Sequence, residues 1–358
     1  MSLADFLLLL LPNLDRALVG DAISRRIVSV ARELPACAHG GFECRLAPDD
    51  DRVDLQVNLK PVHPPWLAGS RADPFWSRFE AFLADWMFDG SQAHLQISSL
   101  WLEFDLDVAE TGLPMPSVFF TWQNDTRTAG QIAPLVSFLA GQAIGEQAAR
   151  AAQGLMLALP STARLSHLGV MFSRPDAPLR LNVEGLDRAS VVPFLRTAGW
   201  PGDEAGLLSM LDEFAPACPS VIMAFDAGTD GLEGSIGLEC HPERDSRAPS
   251  AWAVPLLEQL CRRALCTRGK AEGVAHWRGV TWRARHRGAW PSELEWPDRF
   301  FASSSESAFL RYLNHIKLTL RHDHRVLAKA YLAWEHRWPE RSAVRALMHR
   351  IDPGHREE

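Results

Sequence analysis

The feature that most constrains this chain is a recurring pair of segments in which polar and apolar residues alternate. The clearest pair lies near the C-terminus, where His315 and Lys317 alternate with aliphatic residues and, after a polar turn, Lys329 and Tyr331 do the same. A period of two places successive side chains on opposite faces of a strand. This stretch therefore predicts a β-hairpin with one apolar face and one polar face that is suited to hold an anion.

Four similar pairs precede it, and stretches with helical spacing of apolar residues lie between them. The predicted strand pairs are Phe42–Leu46 with Val53–Lys60, Leu95–Val108 with Ser117–Gln123, His167–Ser173 with Leu179–Glu184, and Val221–Asp226 with Ser235–His241. The predicted helices cover residues 3–33, 73–88, 129–158, 188–214, 252–265, 305–313 and 340–350. The chain is thus predicted to have an α+β fold with about ten antiparallel strands, built from five helix–hairpin units.

One wide sheet with helices on its apolar face and polar residues on the other is expected to curl. If it closes, the result is a barrel of antiparallel strands with the helices outside and a polar lumen. We predict that residues 1–358 form one such domain, with residues 267–304 as an insertion that caps one end. The alternative is two α+β domains, each with a half-exposed antiparallel sheet.

Composition narrows the functional classes. The net charge of −7 argues against a general role in nucleic-acid binding. We expect neither a signal peptide nor a membrane-spanning segment, because the apolar run Leu7–Leu11 is short and ends at Pro12. The six cysteines are scattered and include no CxxC pair, which favours a reducing cytoplasm.

Two patterns that are typical of metal sites have simpler interpretations. The string from Asp50 to Asp54 matches the DDxxD motif of magnesium-dependent prenyl-transfer enzymes, but it lies in a predicted hairpin turn and not on a helix face. We interpret it as a solvated turn. His322 and His324 lie at a predicted hairpin tip without further ligands nearby in the sequence. We therefore predict no metal site and no cofactor.

The succession of helix and hairpin resembles the ABBA prenyltransferases, whose fold is called the PT barrel. The resemblance implies an active centre in the lumen, where lysines, arginines and tyrosines hold a prenyl diphosphate and an aromatic or peptide acceptor attacks the allylic carbon. Lys329-Ala330-Tyr331 is similar to a pattern on the strands of that family, with His315 and Lys317 on the neighbouring strand. Glu103 resembles the strand glutamate that orients and deprotonates the acceptor.

Elementary chemistry is consistent with these roles. Ionisation of an allylic diphosphate develops negative charge on the leaving group, which fixed cationic and phenolic donors stabilise. The predicted diphosphate-binding residues are Lys60, Arg180, Lys317, Lys329, Tyr331 and His315, and the predicted catalytic residue is Glu103. The function predicted is prenyl transfer without a metal ion.

The polar faces of the strands also carry many acidic residues, including Glu43, Asp54, Asp226 and Glu239. Such a face favours a cationic acceptor, for example a peptide that contains arginine or lysine. The alternative function is therefore a non-catalytic protein that binds a peptide or a small ligand in a polar barrel cavity.

Overall fold

The structure is a computed structural model, and it describes residues 1–60, 74–122, 129–172, 179–228, 231–243, 252–283, 286, 288–300, 305–340 and 342–343. The helices are α1 (Leu3–Leu10), α2 (Asp21–Arg32), α3 (Pro74–Met87), α4 (Gln92–Gln96), α5 (Ala129–Ala140), α6 (Gln142–Ala158), α7 (Arg188–Thr197), α8 (Glu204–Phe214), α9 (Ala253–Arg262), α10 (Arg268–His276) and α11 (Ser292–Phe300). The strands are β1 (His39–Arg45), β2 (Val53–Leu59), β3 (Ile97–Phe104), β4 (Ser117–Trp122), β5 (Arg164–Met171), β6 (Leu179–Glu184), β7 (Ser220–Gly228), β8 (Gly231–His241), β9 (Gly279–Trp282), β10 (Ala308–Leu320) and β11 (Val326–Arg337).

Ten of the strands close into a ring. Strands β1 to β8 follow one another in chain order, β10 pairs with β8, β11 pairs with β10, and β11 pairs with β1. Every one of these pairings is antiparallel. The predicted closed barrel in an α+β fold is therefore confirmed, and the alternative with two separate sheets is wrong. Closure leaves no unpaired edge strand in the ring.

The long strand β10 pairs with two different strands on the same side. Its second half, Ile316–Leu320, pairs with β8, whereas its first half, Ala308–Arg311, pairs with β9. A bulge between Leu313 and His315 separates the two halves. Strand β9 thus extends the sheet beside the ring and is not one of the ten barrel strands.

The apolar faces of the strands pack against helices. Phe82 of α3 lies edge-on to Phe120 of β4 with ring centroids 5.9 Å apart, and Phe194 of α7 lies edge-on to Phe225 of β7 at 5.6 Å. These aromatic side chains are fully or almost fully buried. Burial of such faces is the main favourable contribution to folding.

Local sequence determines where several helices begin and end. Helix α7 begins after Asp187, whose carboxylate accepts a hydrogen bond from the backbone N–H of Ser190 at 2.8 Å. The predicted helix 129–158 divides into α5 and α6 at Gly141, which has a φ of +89°. The predicted helix 3–33 ends early at a 3₁₀ turn that contains Pro12 and resumes at Asp21.

Three predictions for the C-terminal third need correction or lie outside the described residues. The predicted helix 305–313 is wrong, because Ala308–Leu313 is the first half of β10. The stretch 267–304, predicted as an insertion that caps one end, contains α10, β9 and α11. Residues 284, 285, 287 and 301–304 of that stretch lie outside the described residues, as does most of the predicted basic helix 340–350.

The fully buried Trp277, which follows α10, joins this segment to the barrel. Its indole N–H donates to the backbone oxygen of Ala333 in β11 at 3.0 Å, and its ring lies edge-on to Phe42 of β1 at 5.7 Å. Lys270 of α10 donates to the backbone oxygens of Ala47 and Asp50 at the β1–β2 turn. These contacts are with the apolar face and with the turn, and the predicted capping role stays a prediction.

Two further features are a disulfide and the character of the helices. A disulfide joins Cys218 to Cys240 of β8, which the scattered spacing of the cysteines did not predict. Among the described residues, no helix has the length and apolar character needed to span a bilayer.

Candidate functional site

Side chains from the polar faces of the strands line two cavities. The larger, the acidic cavity, has a volume of about 1380 Å³, and its carboxylates outnumber its lysines and arginines. Those carboxylates are Asp49, Asp50, Asp51, Asp54, Asp105, Asp107, Glu110, Asp226 and Glu233. The smaller, the aromatic cavity, has a volume of about 600 Å³, and its walls include Trp101, Phe119, Tyr312 and Tyr331. The volume of the aromatic cavity suits a small organic ligand, and the larger acidic cavity has room for a peptide segment.

The structure brings most of the predicted site residues to one place. The aromatic cavity is lined by Lys60, Glu103, Arg180, His315, Lys317 and Tyr331. The remaining predicted residue, Lys329, lines the acidic cavity. Arg180 and Lys317 line both cavities, so these two cations lie where the cavities approach each other. Residues from β3, β6, β10 and β11 therefore meet, although they are far apart in the chain.

Three of the predicted anion-binding cations are ion-paired with carboxylates from neighbouring strands. Lys317 Nζ lies 2.9 Å from a carboxylate oxygen of Glu239, and Lys329 Nζ lies 2.5 Å from one of Glu43. The guanidinium of Arg180 donates to both carboxylate oxygens of Asp226, at 2.7 and 2.9 Å.

The ion pairs favour the charged forms of Glu239 and Arg180 in spite of their burial. Burial alone would raise the pKa of Glu239, but the Lys317 ammonium holds that pKa well below its usual range. Burial likewise opposes the charge on Arg180, yet Asp226 raises the pKa of that guanidinium well above its ordinary value. Any anionic ligand at this position must therefore compete with resident carboxylates for the cations.

A second network lies at the end of β1. Arg45 donates to Glu43 and to Asp54, with both N···O distances at 2.6 Å. Asp54 is only 2% exposed, so the interpretation of the DDxxD string as a solvated turn is wrong for its last residue. Burial and the nearby Glu43 raise the pKa of Asp54 to about 6, because two buried carboxylates share one guanidinium.

His315 lies in the centre of an aromatic stack. Its ring lies 3.9 Å from the ring of Tyr331 on one side and 4.5 Å from that of His241 on the other. Burial, reinforced by the nearby His241, lowers the pKa of His315 well below its usual value, so the imidazole is neutral at pH 7. A neutral imidazole is a poor partner for a diphosphate, and the predicted anion-binding role of His315 has no electrostatic support here.

Glu103 is 3% exposed and points into the aromatic cavity. One of its carboxylate oxygens accepts a hydrogen bond from the Gln56 side chain at 2.8 Å. This contact fixes the carboxylate beside Trp101 and Phe119, which line the same cavity. The position suits a group that orients a bound ligand or takes a proton from it.

Several residues of the aromatic cavity were not among the predicted site residues. Trp101 lies between Leu100 and Leu102, so the period-two pattern already places its ring on the polar face of β3. His241 could have been found in the same way, because it shares a face with Glu239. The pairing of Glu239 with Lys317 depends on the register of β8 against β10, and the sequence does not reveal that register.

A scan against protein-family models finds no match, and no curated protein is similar to the chain in sequence. The geometry of the two cavities therefore carries the functional argument.

Proposed function

We propose that the two cavities are the ends of one polar lumen, enclosed by five helix–hairpin units, and that the protein is a prenyltransferase. The reaction moves an allylic prenyl group from its diphosphate to an aromatic or peptide acceptor without magnesium. The observation that carries this proposal is the convergence of six of the seven predicted site residues on one cavity with aromatic walls.

The walls of the aromatic cavity suit both an isoprenoid chain and an allylic cation. Trp101, Phe119, Tyr312 and Tyr331 contribute aromatic surface, and Leu313 adds aliphatic surface. The faces of such rings attract a cation and stabilise the positive charge that develops on the allylic carbon.

Lys317 and Arg180 are the proposed diphosphate ligands. They line both cavities and are ion-paired with Asp226 and Glu239. A diphosphate carries more charge than one carboxylate, so it replaces Glu239 and Asp226 as the partner of these cations. The same cations then stabilise the leaving diphosphate as the allylic C–O bond breaks.

Glu103 is the proposed base. The nucleophilic atom of the acceptor bonds to the allylic carbon, and this atom loses a proton to the Glu103 carboxylate. The diphosphate departs with the electrons of the broken C–O bond. The hydrogen bond from Gln56 orients this carboxylate towards the cavity. An acceptor whose nucleophilic atom carries a removable proton, as in an N–H or O–H group, fits this arrangement.

The experiment is calorimetric titration with dimethylallyl and geranyl thiodiphosphate, with and without magnesium. We expect micromolar binding that survives chelation of the metal. Asp226→Asn removes the carboxylate that competes for Arg180 and is expected to tighten binding about tenfold, since charge-assisted hydrogen bonds contribute about 1.5–3 kcal/mol each. The matched control is Glu204→Gln, which breaks the Arg196–Glu204 pair at the surface. Neither residue lines either cavity, so binding should be unchanged.

Absence of binding by both thiodiphosphates would refute the proposal for these donors. Equal affinity in Asp226→Asn and in the unmodified protein would remove Arg180 from the diphosphate site. Binding that requires magnesium would refute the metal-independent form of the reaction.

A second candidate is a non-catalytic protein that binds a cationic peptide or small ligand. The observation that favours it is the excess of carboxylates in the acidic cavity. An arginine-containing peptide or a polyamine should then bind with an affinity that falls as salt increases. Binding of such cations together with failure of both thiodiphosphates would make this candidate the better account.

A further inference from the structure

Three potential metal ligands converge at one end of the β8–β10 pair. Glu239 and His241 are two positions apart on β8, so their side chains share a face. His315 lies on β10 next to Ile316, which pairs with Cys240, so it is the cross-strand neighbour of His241. One ligand atom from each of the three residues lies within 4.8 Å of the other two.

The buried His315 side chain lacks a hydrogen-bond partner. It is 8% exposed, and neither of its ring nitrogens has a hydrogen-bond partner among the described residues. Buried imidazole nitrogens normally form a hydrogen bond or bind a metal ion, because an unsatisfied polar group in the interior is unfavourable. Both nitrogens of this imidazole are therefore left to bind something other than the described side chains.

Glu239 is oriented so that one carboxylate oxygen is used and the other faces the histidines. Its Oε1 atom accepts from Lys317 Nζ and from the Asn182 amide, both at 2.9 Å. Its Oε2 atom lies 3.4 Å from Nε2 of His241. Outer hydrogen bonds of this kind fix ligand orientation in metal sites.

We propose that Glu239, His241 and His315 bind a divalent first-row transition-metal ion of the zinc or iron(II) class. Two imidazoles and one carboxylate are a common donor set for these ions. Three protein ligands leave coordination positions for water or for a ligand in the aromatic cavity. This proposal departs from the sequence-based prediction that the protein has no metal site. It does not depend on prenyl transfer.

The test uses the full chain after treatment with a chelator and addition of Zn²⁺ or Co²⁺ alone. We expect one equivalent of zinc per chain by elemental analysis and visible absorption bands of bound Co²⁺ that zinc abolishes. His315→Gln and His241→Gln should each weaken binding at least about tenfold. His167→Gln is the control, because His167 lines the same cavity but contacts Ser166 and lies outside the three-ligand group.

Each outcome decides the matter. Failure of the unmodified protein to retain zinc or cobalt overturns the proposal. Full affinity in both His315→Gln and His241→Gln places the ion elsewhere, and an equal loss in His167→Gln shows that binding is not specific to the three ligands. If His315→Gln does not fold, the partly exposed His241 provides the decisive variant. No prenyl substrate is used, so this result is independent of the thiodiphosphate titration.

Discussion

The buried Lys317–Glu239 pair allows a quantitative test of the pairing between β8 and β10. The two side chains belong to β10 and β8, lie 2.9 Å apart, and are 4% and 7% exposed. Replacing Lys317 with Met removes the ammonium and leaves the Glu239 carboxylate buried. The amide of Asn182 is the remaining strong donor to that carboxylate.

The expected effect follows from the burial of both groups. Breaking a buried ion pair by removing one partner destabilises a protein by about 3–5 kcal/mol, because an uncompensated charge stays in the interior. Replacing both partners with uncharged residues removes that penalty. We therefore expect Lys317→Met to lower the free energy of unfolding by about 3–5 kcal/mol, and the double variant Lys317→Met with Glu239→Gln to recover most of this loss.

The assay is urea unfolding of the four proteins of this double-mutant cycle, in the presence of a chelator so that no metal ion contributes. An unchanged slope of the free energy of unfolding against urea concentration shows that the variants expose the same surface area when they unfold. A loss of less than about 1 kcal/mol in Lys317→Met, the size typical of exposed pairs, would refute the buried pairing. The cycle also shows whether a loss of ligand binding in Lys317→Met reflects the site or the fold.

Three further predictions concern β2, β1 and the tryptophan that follows α10. The pKa of Asp54 is raised in the folded protein, so its stabilising contribution is present at low pH and is lost as pH rises through about 6. Asp54→Asn should remove this part of the pH dependence of the free energy of unfolding, as measured by urea unfolding at several pH values. An unchanged dependence of that free energy on pH would contradict the raised pKa. A β-carbon added at Gly40 would lie 2.6 Å from the backbone oxygen of Gln56, so Gly40→Ala should lower the free energy of unfolding by about 1–3 kcal/mol. An unchanged melting temperature would contradict the close approach of β1 to β2. Trp277→Phe removes the hydrogen bond to Ala333 and should cost about 1–3 kcal/mol in urea unfolding, whereas a neutral result would show that this contact is dispensable.

The strand pairs were predictable because their signal is local. In β2, for example, Asp54, Gln56 and Asn58 alternate with Leu55 and Val57, and period-two alternation needs no knowledge of the partner strand. The same local rule failed at residues 305–313, where Phe309, Leu310 and Leu313 imitate helical spacing. Pairing with β9 and β11 makes that segment a strand, and neither partner is visible from the local pattern.

By itself, the sequence determined the five strand pairs and which face of each is polar, since the alternation of side chains follows directly from chain geometry. It did not reveal β9 or the first half of β10. Only the tertiary structure decided which polar groups meet. Lys329 and Glu43 are 286 positions apart, and they form an ion pair because β11 returns to pair with β1 and closes the ring. The partner of each buried charge, and the convergence of His241 with His315, depend on strand register across the closed barrel. Register is set by the packing of the whole fold.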